Sequence, residues 1–276
     1  MGKIEALGEG VKSLTVGQCV VINPLISCGN CEKCKIGQEN LCTSLKLIDA
    51  HIPGAFAEWV KVPEQSCFVV DGDLSATEGT LVEPFACGLR ACKLGAIEFP
   101  DTVAIFGAGI IGLTALEIAK SKGVKEITVI DTNSKRLAIA QRWGAATTIN
   151  ALTDDVTSLS KCYLNEFDIV IDAVGHEITR NQSIRLVRPG GRVVFIGLHT
   201  DSTTLPGNVI VRSEINIVGS FPYTAADFRD ALKYVKESFL LNKGIKWFDE
   251  RKLERGDEAF QELIEGSDYS KIVLKP

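Results

Sequence analysis

Two groups of residues in this 276-residue chain have the types and the spacing to do chemistry. The first is Cys28-x2-Cys31-x2-Cys34-x7-Cys42, four thiols within fifteen residues. Four thiolates suit tetrahedral Zn2+, and a site filled by four protein ligands leaves no open position, so the loop is expected to hold a structural zinc. Gly29, Asn30 and Gly37 supply the turns that wrap chain around an ion. The ligands must be deprotonated, so metal binding and local folding are coupled. Reduced thiols without metal, or an iron–sulfur cluster, are the alternatives for such spacing.

The second group is Gly107-Ala108-Gly109-Ile110-Ile111-Gly112, set between the apolar run Val103 to Phe106 and a helical pattern from Ile110 to Ser121. In a strand–turn–helix of this form the first glycine permits the tight turn and the second lets backbone approach a pyrophosphate. The third lets helix pack on strand. The phosphates would sit on the free N–H groups at the helix N-terminus. Asp131 ends the next apolar strand, nineteen residues after Gly112. An acid there accepts hydrogen bonds from the adenosine ribose and repels a 2′-phosphate, so NAD is expected over NADP. Arg136 is a candidate for contact with adenine or a phosphate.

The surrounding pattern must position these groups. Val16 to Ile22 and Ala57 to Val62 read as strands, and Leu81 to Leu94 as a helix. From Val103 onward strands and helices alternate. Ile127 to Ile130, Phe167 to Val174, Arg192 to Ile196 and Ile215 to Val218 are apolar strands, and Ser134 to Trp143 is a helix. Buried strands alternating with helices indicate a parallel sheet covered on both faces. Ala225 to Phe239 reads as a long helix, Glu258 to Ile264 as a shorter one, and Ile272 to Leu274 as a last strand. This gives a β-rich lobe, an α/β lobe and a return segment that completes the first lobe.

Composition sets outer bounds. Apolar residues are 45 % and charged residues 24 %, values of an ordered globular chain. Thirty basic against thirty-five acidic residues give a net charge of −5, which provides no electrostatic footprint for nucleic acid or an anionic membrane. No run is long enough to span a bilayer, and the first residues have no apolar signal region. A cytoplasmic location is expected, with reduced cysteines rather than a disulfide framework. Cys19, Cys67, Cys87, Cys92 and Cys162 are expected in the interior, and Trp59, Trp143 and Trp247 as packing residues.

Taken together, the motifs bring a family into view. Val16-Gly17-Gln18-Cys19-Val20-Val21 precedes the cysteine loop, Gly54-Ala55-Phe56-Ala57-Glu58-Trp59-Val60 follows it, and Glu83-Pro84 and the glycine turn come next. The chain resembles the zinc-containing medium-chain alcohol dehydrogenases, especially their polyol and threonine dehydrogenase branch. The resemblance implies an α/β fold, a doubly wound Rossmann sheet plus a GroES-like β-rich catalytic domain that is N-terminally incomplete. It implies residues 1–98 for the GroES-like domain, 99–221 for the Rossmann domain and 222–276 for the return. It assigns the cysteine loop to a structural zinc, and Val174, Gly175, Ile196, Gly197 and Leu198 to the nicotinamide lining. Lys271 falls near the cofactor phosphates. Glu83 matches a glutamate that approaches the catalytic metal, and His51 matches a histidine that can face substrate. His176 and His199 lie in loops on the cofactor side. The implied reaction moves a hydride between a small secondary alcohol or polyol and NAD, with a catalytic zinc as Lewis acid. The implied assembly is a homodimer or homotetramer.

The family's catalytic cysteine and its Gly-His-Glu motif have no counterpart here. Gly2-Lys3-Ile4 aligns just after that motif, so the resemblance implies about 60 to 70 residues fewer than a family chain of about 340. Activity is therefore expected to depend on that segment. The alternatives are an NAD- and zinc-binding protein or subunit without dehydrogenase activity and, more remotely, a zinc-ribbon nucleic-acid binder.

Overall fold

The structure is a computed structural model that describes residues 1–156, 167–238 and 245–276. Its elements in chain order are β1 (Gly2–Lys3), β2 (Cys19–Ile22), β3 (Leu25–Ile26), α1 (Glu32–Lys35), β4 (Lys46–Leu47), β5 (Cys67–Val69), α2 (Ala76–Gly79) and α3 (Val82–Leu94). There follow β6 (Thr102–Phe106), α4 (Ile110–Ser121), β7 (Glu126–Asp131), α5 (Ser134–Trp143), β8 (Thr147–Asn150), β9 (Phe167–Asp172), α6 (Glu177–Leu186) and β10 (Val187–Phe195). The last are α7 (Gly207–Arg212), β11 (Asn216–Gly219), α8 (Ala225–Glu237), β12 (Phe248–Lys252), α9 (Gly256–Glu265) and β13 (Lys271–Lys275).

Six of these strands form one sheet in the order β11-β10-β9-β6-β7-β8, every neighbouring pair parallel. The chain runs outward from β6 to β8, then returns to place β9 on the other side of β6. That reversal makes a crevice at the C-terminal ends of β6 and β9, where open α/β sheets bind ligands. Side chains alternate across the sheet. Val103 and Ile105 of β6 join a core with α3 and α4, while Ala104 and Phe106 join a second core with α6 and β10. Apolar side chains on both faces explain the unbroken hydrophobic run of β6.

The first lobe is a small antiparallel sheet, β1-β2-β5, with β3 and β4 paired at the base of the cysteine loop. It is joined to the α/β lobe through α3, which lies directly on α4. A Cβ at Gly88 would stand 2.8 Å from the Ala115 amide nitrogen, so the two helices meet backbone to backbone. Thr114 Oγ1 donates to Pro84 O at 3.0 Å across the same contact. The return segment touches both lobes. Phe228 packs on Phe68 with ring centroids 4.8 Å apart and Thr77 donates to Glu250, while just before the segment Phe221 O accepts from Asn40. On the other side Trp247 meets Trp143 edge to face at 5.1 Å.

Several sequence expectations need correction. Ala57 to Val62 is not a strand. Residues 54–62 run without regular structure, because no strand among the described residues lies alongside to take their backbone hydrogen bonds. Trp59 is consequently 69 % exposed rather than a packing residue, and Phe56 meets Phe260 of α9 edge to face at 5.3 Å. The strand expected from Val16 starts at Cys19, since Gly17 adopts φ +91° in a turn. Cys87 and Cys92 are buried, but Cys67 is half-buried and Cys19, at the start of β2 opposite Lys3, is exposed. Cys162 and the expected helix end at Phe239 lie outside the described residues. Among the described residues no helix is long and apolar enough to cross a membrane.

Candidate functional site

The glycine turn is built as its spacing requires. Gly107 leaves β6 with φ +95°, and its amide donates to Ile130 O of β7 at 2.8 Å. A Cβ at Gly112 would stand 1.8 Å from Gly107 O, so the first turn of α4 is pressed against the loop and only glycine fits. At Gly109, the N-cap of α4, an added Cβ would meet nothing within 4 Å. That open space faces the unpaired amides of the helix start, which begins with the half-buried Ile110 and Ile111. It is a cradle of the kind that takes a pyrophosphate.

Asp131, at the end of β7, turns toward this cradle. Its Oδ2 accepts from the Ala108 amide at 2.6 Å and its Oδ1 from the Asn133 amide at 2.8 Å. A carboxylate has about four acceptor positions, so capacity for ribose hydroxyls remains. Asn133 caps α5 by accepting from the amides of Lys135 and Arg136. Arg136 Nε donates to Ser267 O at 3.1 Å, and Lys135 pairs with Asp268. Both cations that follow β7 thus hold the return segment, and Ser270 Oγ donates to Ala108 O at 3.3 Å.

On the far side of β6 the loops after β9 and β10 meet. Val174 lies against the glycine turn, 3.0 Å from where a Gly107 Cβ would stand. Gly175 adopts φ +79°, and a Cβ on it would lie 2.2 Å from Gly197 C, so the loops touch through their glycines. Ile196 packs on the core, whereas Leu198 is 78 % exposed. His176 and His199, on these same loops, stand with ring centroids 4.8 Å apart.

Glu83 sits in the first turn of α3, where Pro84 is tolerated because that turn needs few backbone donors. Cys87, one turn on, donates to Glu83 Oε1 at 3.4 Å. The Tyr223 hydroxyl is buried beside Glu83, and burial, with the charge of Glu83, pushes its pKa far up. Burial lowers the Lys271 pKa, and the charge of Glu83 draws it partly back. Glu83, Cys87 and Tyr223 therefore lie together, with Lys271 within electrostatic reach of Glu83. Tyr223 was not singled out by sequence reasoning; the signal available was a tyrosine four residues beyond an apolar strand of the sheet. His51 serves its own turn, its Nδ1 accepting from the Leu47 amide at 3.0 Å.

The four loop cysteines converge. Their sulfurs lie within 4.8 Å of one another, Cys31 and Cys34 at 3.5 Å, Cys28 and Cys34 at 4.0 Å. Zinc–sulfur bonds of about 2.3 Å in a tetrahedron place sulfurs about 3.8 Å apart, so the set fits the ion. Backbone amides point at the sulfurs: Cys31 N at Cys28 Sγ, Cys28 N and Ser44 N at Cys42 Sγ. The amides of Cys34 and Thr43 bring the Cys31 thiol down to about 6, favouring the ligating thiolate. Among the described residues this is the one group of three or more Cys, His, Asp or Glu side chains close enough to share a metal ion.

Known proteins match this arrangement along the whole chain. Residues 1–72 match the alcohol dehydrogenase GroES-like domain, and residues 111–237 match the zinc-binding dehydrogenase family. Sorbitol dehydrogenase of Bacillus subtilis is 30 % identical over 281 residues, covering 100 % of this chain and 79 % of that protein. L-idonate 5-dehydrogenase of Vitis vinifera is 33 % identical over 229 residues, covering 80 % of this chain but only 63 % of the relative. Among solved structures, an Escherichia coli short chain alcohol dehydrogenase complexed with NADH superposes with a TM-score of 0.92 at 26 % identity, covering 100 % of this chain and 82 % of that one. The 2R,3R-butanediol dehydrogenase of Bacillus subtilis gives 0.87 at 27 % identity, with 100 % and 78 % covered. With the glycine turn, Asp131 beside it and the four-cysteine loop in their places, the chain belongs to the zinc-containing medium-chain alcohol dehydrogenase family.

Proposed function

We propose that the chain binds NAD(H) across the crevice between β6 and β9 and works in hydride transfer between that cofactor and a small secondary alcohol or polyol. The observation that carries the reading is the cradle at Gly109 with Asp131 fixed beside it. The α4 amides would hold the pyrophosphate, Asp131 the adenosine ribose, and Lys271 would add positive charge near the phosphates. Val174, Gly175, Ile196, Gly197 and Leu198 would flank the nicotinamide, and Arg136 and Lys135 would brace the return segment over the adenosine end. Bound NAD supplies the hydride acceptor, NADH the donor. The protein's part is to hold the reacting carbon at near-attack distance and to keep water out between the lobes. The domain limits 1–98, 99–221 and 222–276 belong to the same reading. So does a homodimer or homotetramer, with the sheet-edge strand β11 available for pairing.

The residues fit a structural zinc. They do not fit a catalytic one, which needs three protein ligands. Glu83 has a thiol and a phenol as neighbours, and no three-ligand group includes it among the described residues. The second reading, for these residues acting alone, is an NAD- and zinc-binding protein without dehydrogenase activity. Fluorescence titration with NADH, zinc analysis, and NADH production from secondary alcohols and polyols test both. Binding with turnover supports the first reading, binding without turnover the second, and no NADH binding overturns both.

A further inference from the structure

Asp172 ends β9 at the point where the sheet reverses, and its side chain is fully buried. A carboxylate is costly in such a place unless each oxygen is satisfied. Here Oδ1 accepts from the amides of Val174 and Gly175, both at 2.9 Å, and Oδ2 accepts from Thr179 Oγ1 at 3.1 Å. Burial raises its pKa, while these donors and the nearby Arg180 act in the opposite direction. Its own carbonyl accepts from the amides of Ile196 and Gly197 at 3.0 and 2.9 Å. One residue thus holds the loop after β9 with its side chain and the loop after β10 with its backbone. The two loops are then locked together. Thr200 N donates to Gly175 O at 2.9 Å, Arg180 Nη2 donates to Gly197 O at 3.3 Å, and Gly175 and Gly197 touch.

We propose that Asp172 is the positioning residue for the nicotinamide half of the cofactor site, setting the surface of both loops without touching the cofactor itself. The inference rests on the reading that these loops flank the nicotinamide. Without the carboxylate, the amides of Val174 and Gly175 lose their buried acceptor, and Thr179 Oγ1 keeps only its bond to His176 O at 3.0 Å. The loop after β9 would then relax away from the glycine turn. The adenosine half, on the β7 side of the turn, shares none of these bonds.

The test compares NADH with ADP-ribose, which carries the adenosine and pyrophosphate but no nicotinamide, by calorimetric titration of the purified full chain. In the unchanged protein NADH should bind more tightly than ADP-ribose. In Asp172→Ala the NADH dissociation constant should rise by about tenfold or more while that for ADP-ribose stays within about twofold. Asp172→Asn keeps one oxygen for both amides, and Thr179 can turn its hydroxyl to accept from the new NH2, so most NADH affinity should return. Equal losses for the two probes, or a loss in Asn as large as in Ala, would overturn the proposal. If Asp172→Ala does not fold, Thr179→Val decides: a loss confined to NADH supports the role, and an unchanged or equal response overturns it. If the unchanged protein binds neither probe, the cofactor reading itself fails and the role of Asp172 falls with it.

Discussion

The Asp131 carboxylate closes back on the glycine turn, accepting the Ala108 amide at 2.6 Å across a strand and a helix of intervening sequence. On the proposed reading the same group would accept ribose hydroxyls, so it would both shape the pyrophosphate cradle and read the nucleotide. Replacing Asp131 by alanine should weaken NADH binding by about 10- to 100-fold, the worth of one or two hydrogen bonds to a charged acceptor. NADPH should weaken less, because the substitution also removes a repulsive charge. Titrating both nucleotides checks the two outcomes, and equal losses would dismiss Asp131 as the discriminating group.

Gly109 and Gly112 differ in what an added methyl would strike. At Gly112 it would stand 1.8 Å from Gly107 O, so Gly112→Ala should separate α4 from β6 and lower the melting temperature. At Gly109 the added methyl meets no protein atom and would enter only the phosphate cradle. Gly109→Ala should therefore melt like the unchanged chain yet lose most NADH affinity. Thermal unfolding and nucleotide titration, run on both variants, separate a packing glycine from a binding one.

Elements whose signals are local were legible in the sequence. Helices α4 and α5 occupy the residues expected, because Gly109, Asn133 and the left-handed Gly144 punctuate them directly. The four cysteines and the glycine turn were legible for the same reason. What depended on distant partners was not. Residues 57–62 have a strand's composition but no neighbouring strand among the described residues. Conversely β12, Phe-Asp-Glu-Arg-Lys, reads as exposed polar sequence and becomes a strand by pairing with β13. Its Arg251 is accommodated by Asp249 and Glu262. Asp172 and Tyr223 escaped notice because their significance lies in burial and in partners, neither of which a residue type announces.

The loop sulfurs should bind one zinc per chain, measurable by elemental analysis after dialysis. Stripping the metal with a chelator leaves the four thiols with their backbone amide donors alone. The stripped loop also has a pH signature. Amides of Cys34 and Thr43 hold Cys31 at about 6, so it should be thiolate at neutral pH and the first of the four to react with a disulfide reagent. Its reaction rate should fall as pH drops through about 6. Zinc-loaded protein should react far more slowly, and a stripped loop with four equal thiol rates would contradict this account.

Asp227 joins the long helix of the return segment to α3. Its buried carboxylate accepts from the Thr224 amide and hydroxyl, both at 2.9 Å, as the capping box of α8. It also pairs with Lys93 at 2.7 Å and lies 3.7 Å from Arg90. Burial alone would raise its pKa, but Lys93 and Thr224 more than offset that and hold it below the ordinary carboxylate value. A depressed folded pKa means that the stabilisation is complete above the unfolded value of about 3.9 and is lost as pH falls from there through the folded value. Asp227→Ala removes one half of the capping box and the carboxylate facing Arg90, while Lys93 keeps Asp230 at 2.9 Å, so it should cost about 1 to 3 kcal/mol at pH 7. Lys93→Ala should cost about 1 kcal/mol or less, because the Lys93 side chain is 39 % exposed and solvent screens the pair. Urea unfolding at a series of pH values is the measurement. The gap between the unchanged chain and Asp227→Ala should be widest near neutrality and narrow below about pH 4, as protonation removes from the unchanged chain the charge that the variant already lacks. A gap independent of pH would mean that the carboxylate contributes only by packing.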